Sequence, residues 1–132
     1  MHNDNGLSDF HRLLAYELRC AERYRRFVSV VMITSGNGPV RYRQLLDGAI
    51  RDSDEFIEFD QAAAVLMAET DQAGALQAIE RYKSKLNGAA DLRFSLASFP
   101  KDARDARALF DTGRRRLAKA QSLERGALTC TG

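Results

Sequence analysis

Two apolar segments separated by only two residues constrain this fold more than any other feature of the sequence. The first covers residues 55–59 (Glu-Phe-Ile-Glu-Phe) and the second covers 62–68 (Ala-Ala-Ala-Val-Leu-Met-Ala). A connection this short is compatible only with a tight turn between antiparallel strands. The sequence therefore predicts a β-hairpin near the centre of the chain.

Hydrophobic periodicity predicts a helix, a strand and a short helix before this hairpin. Ser8-Asp9 favours a helix start, and apolar residues recur at helical spacing from there to about residue 26. The continuous β-branched and apolar run at 27–34 is typical of a strand that is buried on both faces. Residues 35–39 form a loop, and the short helix follows over 42–50.

A helix and another strand are predicted after the hairpin. Thr70 or Asp71 caps the helix, and Asn87-Gly88 is a typical helix stop. Residues 92–97 alternate between apolar and other positions, which indicates a strand, and Pro100 ends it.

The last part of the chain predicts a further helix, which starts at Asp102 or Asp105, and a short edge strand at 127–130. The predicted order is a helix, then β-α-β-β-α-β, then a helix and a short strand. The β-α-β-β-α-β core is the ferredoxin-like arrangement, an antiparallel sheet with helices on one face. The predicted fold class is therefore α+β.

Size and composition indicate one globular domain over residues 1–132, with 45% hydrophobic residues. The net charge of +2 is too small to imply nucleic-acid binding. The longest apolar run, 27–33, is too short to cross a bilayer, so we expect no membrane insertion. Cys20 and Cys130 have no metal-ligand spacing and are interpreted as free thiols in a reducing cytoplasm.

Two arginine clusters lie on predicted helices, at residues 23–26 and 114–116. Both are interleaved with apolar positions. We interpret them as solvated helix faces whose side-chain stems cover the edge of the core. The alternative is a patch that binds an acidic partner.

The segment around the hairpin resembles the centre of a GGDEF domain, the diguanylate cyclase family that makes cyclic di-GMP from two GTP molecules. In that family an Arg-x-x-Asp motif leads into a strand, and a Gly-Gly-Asp-Glu-Phe turn, an apolar strand and a Thr-Asp helix cap follow. Arg51, Asp54, the strand 64–67 and Thr70-Asp71 fit this frame. The resemblance extends over about residues 13–121 and implies the nucleotidyl cyclase palm, a variant of the ferredoxin-like fold.

The five signature positions carry none of the signature residues in this chain. The resemblance implies that an active member holds two metal ions between an Asp at the end of the first strand and an acidic residue of the signature turn. These positions fall on Thr34 and on Gln61 and Ala62, so no carboxylate remains to bind a metal. The signature positions read Phe59, Asp60, Gln61, Ala62 and Ala63.

The resemblance therefore predicts a degenerate domain that is not an enzyme, with no catalytic residue, metal or cofactor. The paired glycines of the family fall on Phe59 and Asp60, whose side chains should block the approach of a nucleotide. One alternative is that Asp60 is an acidic ligand displaced by one position, with Glu58 nearby.

Arg51 and Asp54 match the inhibitory-site motif of the family, in which Arg and Asp bind cyclic di-GMP. Arginine can bind a phosphate or the Hoogsteen edge of guanine, and aspartate can accept from guanine N–H groups. The structural alternative is that Arg51 closes the short helix and Asp54 opens a strand.

The resulting functional hypothesis is a regulatory or scaffold module in bacterial signalling that acts through protein–protein interaction. Its partner would be an unidentified protein or a second copy of the chain, and no nucleic acid is expected. The predicted surfaces are the hairpin face at 55–61 and the arginine-rich first and last helices. The alternative function is a cyclic di-GMP receptor that binds through Arg51 and Asp54.

Overall fold

The computed structural model of the protein describes residues 4–36, 40–86 and 91–132. The helices in these ranges are α1 (Asp4–Tyr24), α2 (Tyr42–Leu45), α3 (Gln72–Leu86) and α4 (Ala106–Gln121). The strands are β1 (Val28–Ser35), β2 (Glu55–Phe59), β3 (Ala62–Ala68), β4 (Leu92–Phe99) and β5 (Leu128–Thr129). Within the described residues, no helix is both long and apolar enough to span a membrane.

The strands form one five-stranded sheet in the order β2-β3-β1-β4-β5. The β2–β3, β1–β3 and β1–β4 pairs are antiparallel, whereas the short β5 pairs with β4 in parallel. This arrangement confirms the predicted α+β class, with its antiparallel β-α-β-β-α-β core and a terminal edge strand. β2 and β5 are the two edges of the sheet.

Helices cover both faces of this sheet. On one face α1 and α4 pack against a cluster that includes Val30 and Met32 of β1. On the other face α2 and α3 pack against Val31 and Ile33 of the same strand. The predicted β-α-β-β-α-β core contains α2 and α3, which cover one face. The flanking helices α1 and α4 cover the other. This is why the apolar run of β1 is buried on both sides, as the sequence indicates.

Local capping explains where α3 and α4 start. Asp71 accepts a hydrogen bond from the Gly74 backbone N–H at 2.9 Å, and Asp105 accepts one from the Ala108 N–H at 2.8 Å. Thr70, the other candidate at the start of α3, instead donates its hydroxyl to the Ala68 carbonyl at 2.9 Å. The predicted stop at Asn87-Gly88 and residues 37–39 of the predicted loop lie outside the described residues.

Two predicted helix boundaries are wrong. α1 begins at Asp4 rather than at Ser8, because Leu7 still packs against the core and extends the buried stripe. α2 ends at Leu45 instead of continuing to residue 50. Gly48 adopts a left-handed conformation with φ of 83°, which is incompatible with a continuing helix.

The interpretation of the second arginine cluster as a solvated face is wrong for Arg116. This side chain is 8% exposed and donates from Nη1 to the Leu96 carbonyl at 2.8 Å. Its Nη2 donates to Asp102 at 3.2 Å, and Asp102 also accepts from the Ser98 N–H at 2.8 Å. Asp102, the alternative start of the last helix, therefore anchors a buried ion pair at one end of the sheet.

Candidate functional site

The turn of the hairpin consists of Asp60 and Gln61, which have φ values of 46° and 61°. Two successive left-handed residues between paired strands form the type I′ turn that is common in tight hairpins. Phe59 lies within β2 and faces Ala62 across the hairpin. Its ring packs 5.4 Å from that of Phe110, so Phe59 belongs to the core rather than to the turn.

Thr34, near the end of β1, lies opposite Ala62 of β3. Both residues are buried, with exposed fractions of 4% and 6%. The structure therefore brings together the first-strand position and the signature strand, as the resemblance implies. The facing side chains are a hydroxyl and a methyl group, and neither carries the charge that a divalent cation needs.

Tyr42, the first residue of α2, connects the end of β1 to the hairpin turn. Its hydroxyl accepts a hydrogen bond from the Ser35 N–H at 2.9 Å and donates one to the Gln61 carbonyl at 2.7 Å. The residue is only 1% exposed. Burial raises the pKa of this phenol, and hydrogen bonds with Ser35 and Thr34 partly offset that effect. Tyr42 was predicted only as an apolar position of the short helix.

The two carboxylates proposed as displaced metal ligands have protein partners. Glu58 accepts a hydrogen bond from the Tyr42 backbone N–H at 2.8 Å. Asp60 is exposed and forms an ion pair with Arg114 at 3.5 Å. In the part of the chain that the structure describes, no group of three or more His, Cys, Asp or Glu side chains could hold a metal ion.

Arg51 and Asp54 come together in one tight turn. The Asp54 N–H donates to the Arg51 carbonyl at 3.0 Å, and the Asp54 carboxylate accepts from the Arg51 N–H at 3.3 Å. Partial burial raises the pKa of Asp54, although the Arg51 N–H and the charges of Arg51 and Arg81 act in the opposite direction. Asp54 directly precedes β2, as expected, but α2 ends too early for Arg51 to close it.

This turn borders a surface groove of about 310 Å³. Among the described residues that line it, Arg43 and Arg51 are the two cationic ones, and the Arg43 guanidinium lies 4.7 Å from the centre of the Phe56 ring. The acidic residues outnumber these two cations, which weakens the attraction of the groove for a phosphate. The acidic lining residues are Asp47, Asp52, Asp54 and Glu55.

Solved GGDEF domains have the same fold as this chain. The GGDEF domain of PA1120 (YfiN or TpbB) from Pseudomonas aeruginosa superposes with a TM-score of 0.78 and 20% identity, covering 95% of this chain and 94% of that one. The FimX GGDEF domain from the same organism has a TM-score of 0.78 and 14% identity, covering 94% and 92%. No protein-family model matches the sequence, and no curated protein matches it.

The fold includes proteins that are described as active and as parts of complexes. The active GGEEF domain of a diguanylate cyclase from Vibrio cholerae has a TM-score of 0.72 and 13% identity, covering 89% of this chain and 90% of that one. Diguanylate cyclase SiaD in complex with its activator SiaC, from Pseudomonas aeruginosa, has a TM-score of 0.75 and 10% identity, covering 94% and 57%. At these identities the comparisons establish the fold alone, so function depends on the residues of the site.

Proposed function

We propose that this protein is a catalytically inactive GGDEF-like module that regulates or scaffolds bacterial signalling through protein–protein interaction. The chain has the fold of solved GGDEF domains. One domain with this fold is described as active, so the fold alone does not decide activity. The proposal therefore depends on the residues at the end of β1 and at the hairpin turn.

The observation that carries the proposal is that Thr34 and Ala62, whose side chains are neutral, face each other beside the Tyr42 hydroxyl. Thr34 and Ala62 face each other at the place where the resemblance puts metal-binding carboxylates. A catalytic Mg²⁺ prefers carboxylate, phosphate and water oxygens, and it needs negative charge from the protein to stay between two phosphates. A threonine hydroxyl beside an alanine methyl group provides none.

The absence of a carboxylate opposite Thr34 does not depend on how the five signature positions are aligned with this chain. Asp60 and Gln61 have the left-handed conformations that glycine favours, which supports placing the two family glycines at 60 and 61, one position later than the sequence suggests. The acidic positions then fall on Ala62 and Ala63. The first of these is the direct partner of Thr34, so both registers leave the facing pair Thr34 and Ala62 without a carboxylate.

Tyr42 supports the same conclusion by filling the junction. Its buried hydroxyl uses the Ser35 N–H and the Gln61 carbonyl as partners, so these backbone groups are not free to bind a nucleotide. Removing the phenol from this place would take one hydrogen bond each from the half-buried Ser35 N–H and from the Gln61 carbonyl, which is costly. The residue therefore stabilises a closed junction.

Incubation of the protein with GTP and Mg²⁺, followed by chromatography for cyclic di-GMP, tests the inactive state. We expect no product above that of a heat-denatured control, in a sample whose circular dichroism shows folded protein. Formation of cyclic di-GMP would reject the proposal. Sedimentation velocity over a range of protein concentrations then tests whether the partner is a second copy of the chain.

A second candidate function, a cyclic di-GMP receptor, is favoured by the shared turn of Arg51 and Asp54 beside the groove that Arg43 also lines. Calorimetric titration with cyclic di-GMP distinguishes it from the first. Micromolar binding that Arg51→Ala abolishes would support the receptor, whereas no heat would reject it. Arg107→Ala is the matched control, because Arg107 is an exposed arginine on α4, on the opposite face of the sheet.

A further inference from the structure

The outer edge of β2 carries backbone groups that the sheet does not use. β2 pairs only with β3, and the residues beside the two-residue turn, Phe59 and Ala62, form the first pair of the ladder. Hydrogen-bonded pairs alternate along an antiparallel ladder, so Ile57 and Glu55 also bond inward. The N–H and C=O groups of Phe56 and Glu58 therefore point away from the sheet.

Only one of these outward groups has a partner among the described residues. The Arg43 guanidinium donates to the Phe56 carbonyl, at a long distance of 3.4 Å. An uncovered strand edge is a template for pairing with another extended chain, and proteins usually protect such edges. β2 carries neither lysine nor proline, and three of its five residues are apolar.

A groove of about 340 Å³ runs along this edge. β2 forms one wall, and α1 forms the other through Asp9, Phe10 and Leu13. Leu13 is 39% exposed, which is high for a leucine beside a buried cluster. The groove thus combines unpaired backbone groups with apolar surface, as in proteins that bind an extended segment by adding a strand.

The charges of the groove favour a partner segment that is basic. Asp9, Glu55 and Glu58 are acidic, and Arg43 is the only cationic residue among the described residues that line it. Glu55 and Glu58 form no ion pair within the described part of the chain, while Asp9 pairs with Arg12 at 3.0 Å. Glu55 and Glu58 lie on opposite faces of β2, so a segment with lysine or arginine on both of its faces would place positive charge beside each of them.

The same charges disfavour a second copy of this chain. In the register that uses the outward groups of both Phe56 and Glu58, antiparallel pairing of two β2 edges would place Phe56 of each copy opposite Glu58 of the other. The two Glu58 carboxylates would then be diagonal neighbours on one face, roughly 7 Å apart. Like charges at this separation in a sheet are destabilising, so the edge favours a basic partner over itself.

We propose that the outer edge of β2 binds an extended, basic segment of a partner protein by adding a strand to the sheet. This inference rests on the proposed role of the protein as an interaction module and names the surface and the chemistry of its partner. The Phe56 and Glu58 backbone groups provide the hydrogen bonds, and Glu55 and Glu58 provide the charge preference.

A hexapeptide of the sequence Lys-Lys-Val-Val-Lys-Lys, labelled with fluorescein at its N-terminus and amidated at its C-terminus, is the probe, because it carries lysine on both faces of an extended strand. Fluorescence anisotropy should show that it binds more tightly than the matching glutamate–valine peptide. Hydrogen exchange followed by NMR should show that the Phe56 and Glu58 amides exchange rapidly in the free protein and are protected in the complex. Unchanged exchange at both amides, equal affinity for the two peptides, or no binding at millimolar peptide would overturn the proposal.

Charge reversal at the edge sharpens this test. Glu55→Lys should weaken binding of the lysine peptide about fivefold, because it replaces cross-strand attraction with repulsion. Glu124→Lys is the matched control, since this exposed glutamate lies near β5 at the opposite edge of the sheet and makes the same change in net charge. Equal weakening by both variants would contradict a site at β2.

This experiment separates the docking site from the proposed function. Failure of the peptide test with no GTP turnover would reject the β2 site and leave an inactive module with another surface. Turnover of GTP would reject the inactive module, whatever the peptide binds.

Discussion

Two polar regions at opposite ends of β1 differ in whether they contain a buried ion pair. At one end, near the antiparallel partners Val28 and Phe99, the Asp102–Arg116 ion pair is retained. At the other end, Thr34 faces Ala62, and the polar backbone groups there bond to the neutral hydroxyl of Tyr42. Charge therefore remains where it connects α4 to the loop after β4, and is absent where the family resemblance places catalysis.

The comparison indicates what each region can do. A buried ion pair fixes structure, because removal of either partner leaves an uncompensated charge. A junction closed by one hydroxyl can be equally rigid, but the facing pair Thr34 and Ala62 brings no carboxylate to it. Substitutions in each region separate these two roles.

Arg116→Ala should have the largest effect on stability. It leaves Asp102 buried and without its guanidinium partner, and it also removes the donor to the Leu96 carbonyl, so we expect a loss of about 3 kcal/mol in the free energy of unfolding. Urea denaturation measures this loss, and the m-value should stay unchanged. Arg115→Ala, an exposed neighbour on the same helix, should cost less than about 0.5 kcal/mol. Equal losses in both variants would contradict a structural role for the buried pair.

Tyr42→Phe should destabilise the protein by about 1 kcal/mol, because the half-buried Ser35 N–H and the Gln61 carbonyl both lose the hydroxyl as a hydrogen-bond partner. Tyr82→Phe is the matched control. Tyr82 is fully buried too, but its hydroxyl has no hydrogen-bond partner within the described residues. We expect its removal to be neutral or stabilising, and thermal unfolding compares the two. A larger loss for Tyr82→Phe would contradict the role given to Tyr42.

Asp102 and Asp54 should contribute with opposite signs to the pH dependence of the free energy of unfolding. Burial alone would raise the pKa of Asp102, but the hydrogen bonds from Arg116 and Ser98 and the charges of Arg116 and Lys101 outweigh it and lower the pKa below its ordinary value of 3.8. The stabilisation by Asp102 is therefore complete above the unfolded pKa and is lost as the pH falls through the folded one. Burial raises the pKa of Asp54, so its protonation in acid favours the folded state.

Urea titrations between pH 7 and pH 2 test this prediction. Asp102→Asn should flatten the loss of stability in acid relative to the unmodified protein, and Asp54→Asn should make that loss steeper. The same slope in all three proteins would contradict the assignment of the two pKa shifts.

The elements that could be predicted from the sequence depend on local patterns. The hairpin at 55–59 and 62–68 follows from a two-residue connection, and Asp71 and Asp105 are caps whose partners lie three residues away. The resemblance implies that Thr34 lies near Gln61 and Ala62, a long-range relation that periodicity does not indicate, and the sheet pairs Thr34 with Ala62.

The features that sequence patterns missed depend on distant partners. Tyr42 bonds to a carbonyl 19 residues later, and Arg116 bonds to one 20 residues earlier. Nothing in an apolar stripe or an arginine cluster indicates such partners. The exposed edge of β2 likewise follows only from the strand order of the sheet.

The central claim is that the junction of β1 and the hairpin cannot hold a divalent cation. Titration with Mn²⁺, a paramagnetic substitute for Mg²⁺, tests it directly in ¹⁵N–¹H NMR spectra. We predict no selective broadening of the Thr34, Ser35, Gln61 and Ala62 amide signals at Mn²⁺ concentrations that saturate a divalent-cation site of micromolar affinity. Selective, EDTA-reversible broadening of these four signals would contradict the account.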